Sequence, residues 1–456
     1  MALTKYEEGS VRELLSISIP LMLSMLSAVV MLFVDRLLLA RYSTEAMCAA
    51  TNAATQGWVF VAGFYALTSI AEVFVAQFNG AGKTHKLGEP IWQMIWISLA
   101  TVIFFVPLGL WGGDFFFPQS FGKKMTQDYF SMMMFFGPVY AVYAALAAFW
   151  VGRGKTTIIT WLAVVANIVN ACLDVVLIFG VEGVIPSLGV KGAVIATNIG
   201  IFFQVCILMV LFLRKRYRQD FGTNHVSLNV PLIRDCIRVG FPSAMCSVLE
   251  ISGWAMFYRM MTAMGLQYIT VASVCQSIAM LFWFCCEGLN KGALTVAGNM
   301  IGAGHSFEIP KVIKSGFKII VFIFLCQFIG IVVLGRDLII NSFLDVSANP
   351  ENAALRETLI ICLKWVVVYM FFEATRFLIG GVLTAAGDTM FLMVGGAAMV
   401  WLGMVIPVKL IILNAHASVE ASILLWVSYA LGATLLNYGR FLTGRWKKIT
   451  IVASSL

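Results

Sequence analysis

The feature that most constrains this chain is a succession of long apolar runs separated by short polar or glycine-rich turns. A helix needs about 20 consecutive apolar residues to cross the hydrocarbon core of a bilayer. The runs of that length lie near 13–39, 45–79, 91–112, 127–150, 156–181, 190–213, 233–262, 268–301, 311–335, 356–386, 389–414 and 418–442. The pattern therefore predicts twelve transmembrane helices.

Composition excludes an ordinary soluble domain. Of the 456 residues, 60% are hydrophobic and 12% are charged, whereas a soluble domain has about 25% charged residues. The polar, mixed-charge N-terminus lacks an A-x-A-like cleavage site, so we expect the first helix to direct insertion.

The two halves of the chain resemble each other. When the sequence is slid along itself so that Pro20 falls on Pro242, NGAG (79–82) falls on IGAG (301–304). A slightly longer shift aligns GRGKT (152–156) with AAGDT (385–389). Three matches in the same order indicate an internal repeat.

The predicted fold is an all-α polytopic membrane protein with twelve transmembrane helices in two pseudo-symmetric six-helix bundles. We expect an N-terminal six-helix lobe over residues 1–213, a cytoplasmic loop over 214–232 and a C-terminal six-helix lobe over 233–456. Because each lobe has an even number of helices, the lobes have the same orientation, and the axis relating them runs along the membrane normal.

The charge distribution predicts the topology. If the N-terminus is cytoplasmic, the loops on that side hold more than half of the 31 Lys and Arg residues, as the positive-inside rule requires. We therefore expect a protein of the inner or plasma membrane with both termini in the cytoplasm. The net charge of +8 then reflects topology and contact with membrane lipids, and nucleic-acid binding is not expected.

Several kinds of chemistry find no support in the sequence. The four His residues are far apart and no C-x-x-C occurs, so neither a metal cluster nor a disulfide framework is expected. No G-x-x-x-x-G-K-[ST] loop is present, which disfavours transport driven by ATP. We expect no cofactor, no enzymatic activity and a monomer, and ion-coupled secondary transport remains.

Charged groups inside the membrane are costly, at roughly 2.5–3.5 kcal/mol each on insertion scales, and are often functional. In the first half, Asn167, Asn170 and Asp174 recur at spacings of three and four, which places them on one helical face. Asp35 lies in the first apolar run, and Thr197 can supply a further oxygen from the sixth. These oxygens suit a hard cation or a proton relay; alternatively, the amides and the carboxylate hydrogen-bond packed helices together.

The second half has its own acidic residues. Glu250 follows Pro242 in the seventh run, and Glu373 follows Tyr369 by one turn in the tenth. Arg376 stands three residues after Glu373, where it can neutralise that carboxylate and weaken cation binding.

Two further charges in the eighth run have helical spacing. Glu287 and Lys291 are four residues apart, which predicts an ion pair within one helix. Glu72, in the second run, is interpreted as structural.

These features together resemble the multidrug and toxic compound extrusion (MATE) family over essentially the whole chain. The motifs that carry the resemblance are FVD (33–35), VAQFNGAGK (75–83), NIVNACLD (167–174), GVKGAVIAT (189–197), GFPSAMCSVLE (240–250) and GVLTAAGDT (381–389). The resemblance implies a V-shaped antiporter that exports organic cations in exchange for Na+ or H+ and alternates between inward-open and outward-open states.

The resemblance also assigns residues to roles. It implies an N-lobe cation site at Asp35, Asn170, Asp174 and Thr197. The acidic C-lobe positions of the NorM-type branch fall on Glu250 and Glu373, with Tyr369 beside them. The presence of both sets favours the NorM-type branch over the DinF-type branch. Three bases depart from the pattern: Arg36, Lys291 and Arg376.

The predicted function is therefore the export of cationic or amphiphilic small molecules, coupled to Na+ or H+. The alternative is a flippase or exporter of lipid-linked or anionic amphiphiles of the same superfamily, and the three departing bases bear on that alternative. The sequence does not distinguish Na+ from H+ as the coupling ion.

Overall fold

A computed structural model describes residues 3–118, 122–343, 350–449 and 451, and within these ranges the chain is helical with no strand. The long helices are α1 Val11–Tyr42, α2 Thr44–Gly80, α3 Thr84–Phe116, α4 Lys123–Phe135 with Gly137–Gly152, α5 Thr156–Phe179, α6 Val190–Phe212, α7 Val230–Met264, α8 Leu266–Gly302, α9 Ile309–Leu334, α10 Pro350–Ala385, α11 Thr389–Asn414 and α12 Val419–Leu442. Short helices cover Lys215–Phe221, Arg336–Phe343 and Arg445–Lys448.

The twelve long helices confirm the predicted helix count. Ten are long and apolar enough to cross a membrane, and α4 becomes an eleventh when its two segments, bent by 43°, are taken as one span. Helix α7 has ample length, 35 residues, but it is more polar. Its charged residues are Arg234, Asp235, Arg238, Glu250 and Arg259.

The repeated motifs form matching turns. Gly82 and Gly304 end the two Gly-Ala-Gly sequences with φ of 71° and 83°. Gly154 and Gly387, in the second pair of aligned turns, have φ of 68° and 80°. This left-handed conformation is readily available to glycine. The sequence repeat therefore reflects two chain halves that turn in the same way at matched positions.

The two halves meet where small residues let their helices approach. On α8, Gly288 and Gly292 lie against Met22 and Ser18 of α1. Further along α8, Gly302 faces the backbone carbonyl of Gln77 on α2. Small residues commonly permit such close approach of membrane helices. We call this region the closed end: the N-terminal parts of α1 and α7 and the C-terminal parts of α2 and α8.

Polar contacts also join the halves at the closed end. Gln77 Nε2 donates to the carbonyl of Ala385 at 2.7 Å, and Asn79 Nδ2 donates to Asn299 Oδ1 at 2.7 Å. The chain before α1 crosses the junction as well, since Ser315 Oγ on α9 donates to the Gly9 carbonyl at 2.7 Å. One buried apolar cluster contains residues from both halves, so this end is a continuous core.

Candidate functional site

In the first half, three helices bring four of the predicted residues together. Asp35 comes from α1, Asn170 and Asp174 from α5, and Thr197 from α6. Asn170 and Asp174 are completely buried, and Asp35 is 7% exposed. We call these four residues the N-half carboxylate cluster.

Asn170 links the two carboxyl groups of this cluster. In the orientation that satisfies its hydrogen bonds, its amide nitrogen donates to Asp35 Oδ1 at 3.1 Å and to Asp174 Oδ2 at 3.3 Å. Its oxygen accepts from the backbone N–H of Thr197 at 3.1 Å. Asn170 thereby fixes the distance between α1 and α5 at the depth of the carboxyl groups.

The cluster has more acceptors than donors. The carboxyl groups of Asp35 and Asp174 share one donor, the amide nitrogen of Asn170. Asp174 Oδ1 is buried and has no hydrogen-bond partner in the described part of the chain. None of the ion pairs among the described residues includes Asp35 or Asp174. Two adjacent carboxyl groups are stabilised by a shared proton or by a bound cation, so the cluster is suited to either.

Two neighbours of the cluster make other contacts. Asn167, one turn before Asn170, donates through Nδ2 to Ser27 Oγ of α1 at 2.6 Å. Arg36, beside Asp35 in the sequence, donates from Nη1 to Thr51 Oγ1 of α2. The half-buried Arg36 side chain therefore crosses to a neighbouring helix of its own half.

In the second half, the predicted carboxylates are joined by an arginine. Arg376 and Glu373 lie on α10, and Glu250 lies on α7. Arg376 Nη2 and Nε contact Glu373 Oε1 at 2.6 Å and Oε2 at 2.9 Å, while Nη1 contacts Glu250 Oε1 at 2.9 Å. The predicted pairing of Arg376 with Glu373 is thus present, and Glu250 joins it. We call these three residues the C-half charge cluster.

Aromatic rings surround this cluster. The ring of Tyr369 lies 5.6 Å from that of Trp426 and 6.3 Å from that of Trp254. Arg376 stands 6.0 Å from the ring centroid of Tyr429 and 4.8 Å from that of Phe377, within the range of cation–π attraction. Tyr369 thus belongs to the aromatic wall beside the carboxylates.

A third charged group lies at the closed end. Lys291 Nζ on α8 pairs with Glu72 Oε2 on α2 at 3.1 Å, and Thr295 Oγ1 donates to Glu72 Oε1 at 3.2 Å. The predicted ion pair between Lys291 and Glu287 is wrong: the nearer carboxylate belongs to another helix, and Glu287 instead accepts from Asn290 Nδ2 at 3.3 Å. Helical spacing shows which side chains share a face, but it carries no information about the facing helix.

Comparison with known sequences points to one family. The sequence model of the MatE family matches residues 20–176. A probable multidrug resistance protein NorM from Thermotoga maritima is 23% identical over 464 residues, covering 99% of this chain and 96% of that protein. A protein of the same name from Photorhabdus laumondii is 24% identical over 392 residues, covering 83% and 82%.

Solved structures share the fold. A transporter of the MOP superfamily from Pyrococcus furiosus, described as having a binding pocket of reverse polarity, superposes with a TM-score of 0.82 at 15% identity, covering 99% of this chain and 97% of that one. The eukaryotic MATE transporter AtDTX14 gives a TM-score of 0.77 at 18% identity, covering 97% of each chain.

The long apolar helices and the shared fold define the class of protein as a polytopic membrane protein with the fold of the solved transporters. The resemblance predicted from the sequence is confirmed: the MatE model matches residues 20–176, and the NorM proteins among the similar sequences support the NorM-type branch.

Proposed function

We propose that this chain is a secondary active antiporter that exports organic cations and amphiphilic drugs in exchange for Na+ or H+. The observation that carries the proposal is the N-half carboxylate cluster, in which two buried carboxyl groups make no ion pair within the part of the chain that the structure describes. Ionisable groups in a membrane segment usually mark an ion or substrate pathway. The names of the relatives, multidrug resistance proteins, agree with this reading.

The coupling ion binds at Asp35, Asn170, Asp174 and Thr197 in this proposal, and Asn167 positions α5 against α1. The substrate or a second cation binds at the C-half charge cluster, which contains Glu250 and Glu373, beside Tyr369. Carboxylates supply the charge, and the half-buried rings of Trp254 and Phe377 supply flat apolar surface for an aromatic cation.

In alternating access, the two halves of the chain pack against each other at one end of the molecule while the other end is open. The lobes 1–213 and 233–456 rock about the segment 214–232, and the contacts between the halves support a state in which the closed end is sealed. If the termini are cytoplasmic, as we propose for this inner or plasma membrane monomer, that state is open to the outside. Ion and drug shift the equilibrium only by binding the two states with different affinities.

The first prediction tests the coupling site. We expect Asp35→Asn to reduce gradient-driven efflux at least about tenfold, because it removes one of the two carboxyl groups that bind the coupling ion. Purified protein in liposomes is given an imposed Na+ or pH gradient, and the release of a fluorescent organic cation is followed. Asp114→Asn is the matched control, since Asp114 is an exposed acid whose carboxylate accepts from Gln127 at 3.0 Å. Normal efflux by Asp35→Asn would contradict the assignment.

The same liposomes address the alternative function. The bases Arg36, Lys291 and Arg376 inside the membrane helices are the residues that bear on this alternative, the export of a lipid-linked or anionic amphiphile. Failure of organic-cation transport under both gradients, together with movement of a fluorescent anionic amphiphile, would establish that alternative.

A further inference from the structure

The C-half charge cluster carries an excess of one negative charge. Glu250 and Glu373 are two carboxylates, and Arg376 is the one cation that bridges them. Their other close neighbours, including Cys246, Tyr369 and Tyr429, are uncharged groups. The arginine therefore already fills part of the space that a cationic ligand needs.

The arginine is shared unequally between the two carboxylates. Glu373 contacts Arg376 through both oxygens, at 2.6 Å and 2.9 Å, the bidentate arrangement that makes guanidinium–carboxylate pairs strong. Glu250 contacts it through one oxygen at 2.9 Å. The side chain of Glu250 is 21% exposed and that of Glu373 is 11% exposed.

The chain topology reinforces this asymmetry. Arg376 and Glu373 are three residues apart on α10, so their pair moves as a unit with that helix. Glu250 is on α7 and meets the pair only through helix packing. Trp254 lies one turn after Glu250, and its ring is 5.0 Å from that of Trp426. The more exposed of the two carboxylates is therefore one helical turn from an aromatic ring on the same helix.

We propose that Arg376 is a specificity-determining residue: it neutralises Glu373 and leaves Glu250 as the one carboxylate that meets the charge of the substrate. The C-half site then selects flat aromatic cations with a single positive charge and discriminates against dications. Glu373 acts as a positioning residue for Arg376. This inference rests on the proposed export of organic cations and names the class of cation within it.

Two related dyes test the selection by charge. Ethidium carries one positive charge, and propidium adds a quaternary ammonium to the same ring system. We expect the wild-type protein to bind ethidium more tightly, as measured by fluorescence titration in detergent without any gradient. Arg376→Gln frees Glu373, so the ratio of propidium to ethidium affinity should rise at least about tenfold, which corresponds to about 1.4 kcal/mol.

Two further variants distinguish an effect of charge on dye binding from a loss of folding. Glu250→Gln leaves a neutral pair of Arg376 and Glu373, and we expect its ethidium affinity to fall at least about tenfold. The double variant Arg376→Gln/Glu373→Gln keeps one carboxylate, Glu250, and should lower the ratio of propidium to ethidium affinity again, below that of Arg376→Gln. Glu250→Gln keeps the test decisive if Arg376→Gln alone does not fold, because it leaves no unpaired carboxylate.

The dye measurements distinguish failure of the role of Arg376 from failure of the proposed substrate class. An unchanged dye ratio in Arg376→Gln, or wild-type ethidium binding by Glu250→Gln, would overturn the role of Arg376 while leaving organic-cation export intact. Failure of every variant and of the wild type to bind either dye would overturn the proposed substrate class and the inference with it.

Discussion

At the scale of single residues, Asn170 holds together a pair of carboxyl groups that would otherwise face each other unaided. Its amide nitrogen reaches both Asp35 and Asp174, and its oxygen engages the backbone of Thr197. A single neutral side chain therefore determines the geometry in which a proton or a metal cation would be received.

The prediction at this scale concerns Asn170→Ala. We expect the concentration of coupling ion that gives half-maximal efflux to fall about tenfold, because the amide stabilises the ion-free carboxylates through hydrogen bonds to charged groups that contribute about 1.5–3 kcal/mol. The measurement is efflux from liposomes as a function of external Na+ at fixed pH and of pH at fixed Na+. Asn167→Ala is the control, because Asn167 lies one turn before Asn170 on α5 and donates to Ser27 of α1. Equal shifts in the two variants would contradict a special role for Asn170.

The residues of the site differ in how far the sequence revealed them. Asn170 and Asp174 follow from helical spacing, and the pairing of Arg376 with Glu373 follows from three-residue spacing on one helix. The contacts of Arg376 with Glu250 and of Lys291 with Glu72 were missed. They join helices distant in the sequence, and hydrophobic periodicity places each helix without fixing which neighbour it faces.

At the scale of elements, α2 and α8 approach each other through matched glycines. A Cβ atom at Gly80 would collide with the carbonyl of Asn299, and one at Gly302 would collide with the carbonyl of Gln77. Both obstacles are backbone atoms, so rotation of a side chain cannot relieve them. The repeated Gly-Ala-Gly sequence was visible before the structure, but the contact that requires its first glycine was not.

The prediction at this scale concerns Gly302→Ala. Overpacking of this kind costs about 1–3 kcal/mol, so we expect a lower midpoint of thermal unfolding in detergent. Gly439→Ala is the matched control, because Gly439 lies within α12 and no atom is near the position of an added Cβ. The control should be neutral or stabilising, since alanine is the better helix former by up to about 1 kcal/mol. An equal loss in both variants would refute the close-approach argument.

At the scale of the whole molecule, the ion pair between Glu72 and Lys291 joins the two halves inside the closed end. Glu72 is 2% exposed, and separating the pair would leave a carboxylate without its cation. Removing one member of a buried pair costs about 3–5 kcal/mol, whereas replacing both members is often neutral. The pair therefore opposes opening of this end.

The corresponding prediction uses a single and a double variant. Lys291→Met should increase hydrogen–deuterium exchange in residues 72–80 and 291–302, because the unpaired Glu72 favours states in which the closed end opens to water. The double variant Glu72→Gln/Lys291→Met should return exchange toward the wild-type level. The same exchange in all three proteins would show that the pair does not hold the halves together.

The position of Glu72 also has a consequence for biogenesis. Its partner Lys291 lies 219 residues later in the chain, so α2 is synthesised long before α8 exists. During that interval the first half holds an acidic side chain in a membrane segment without the amine that will compensate it. A nascent first half therefore cannot reach its mature arrangement alone, although it contains its own copy of the repeat. The contacts between the two halves at the closed end therefore form only after α8 has entered the bilayer.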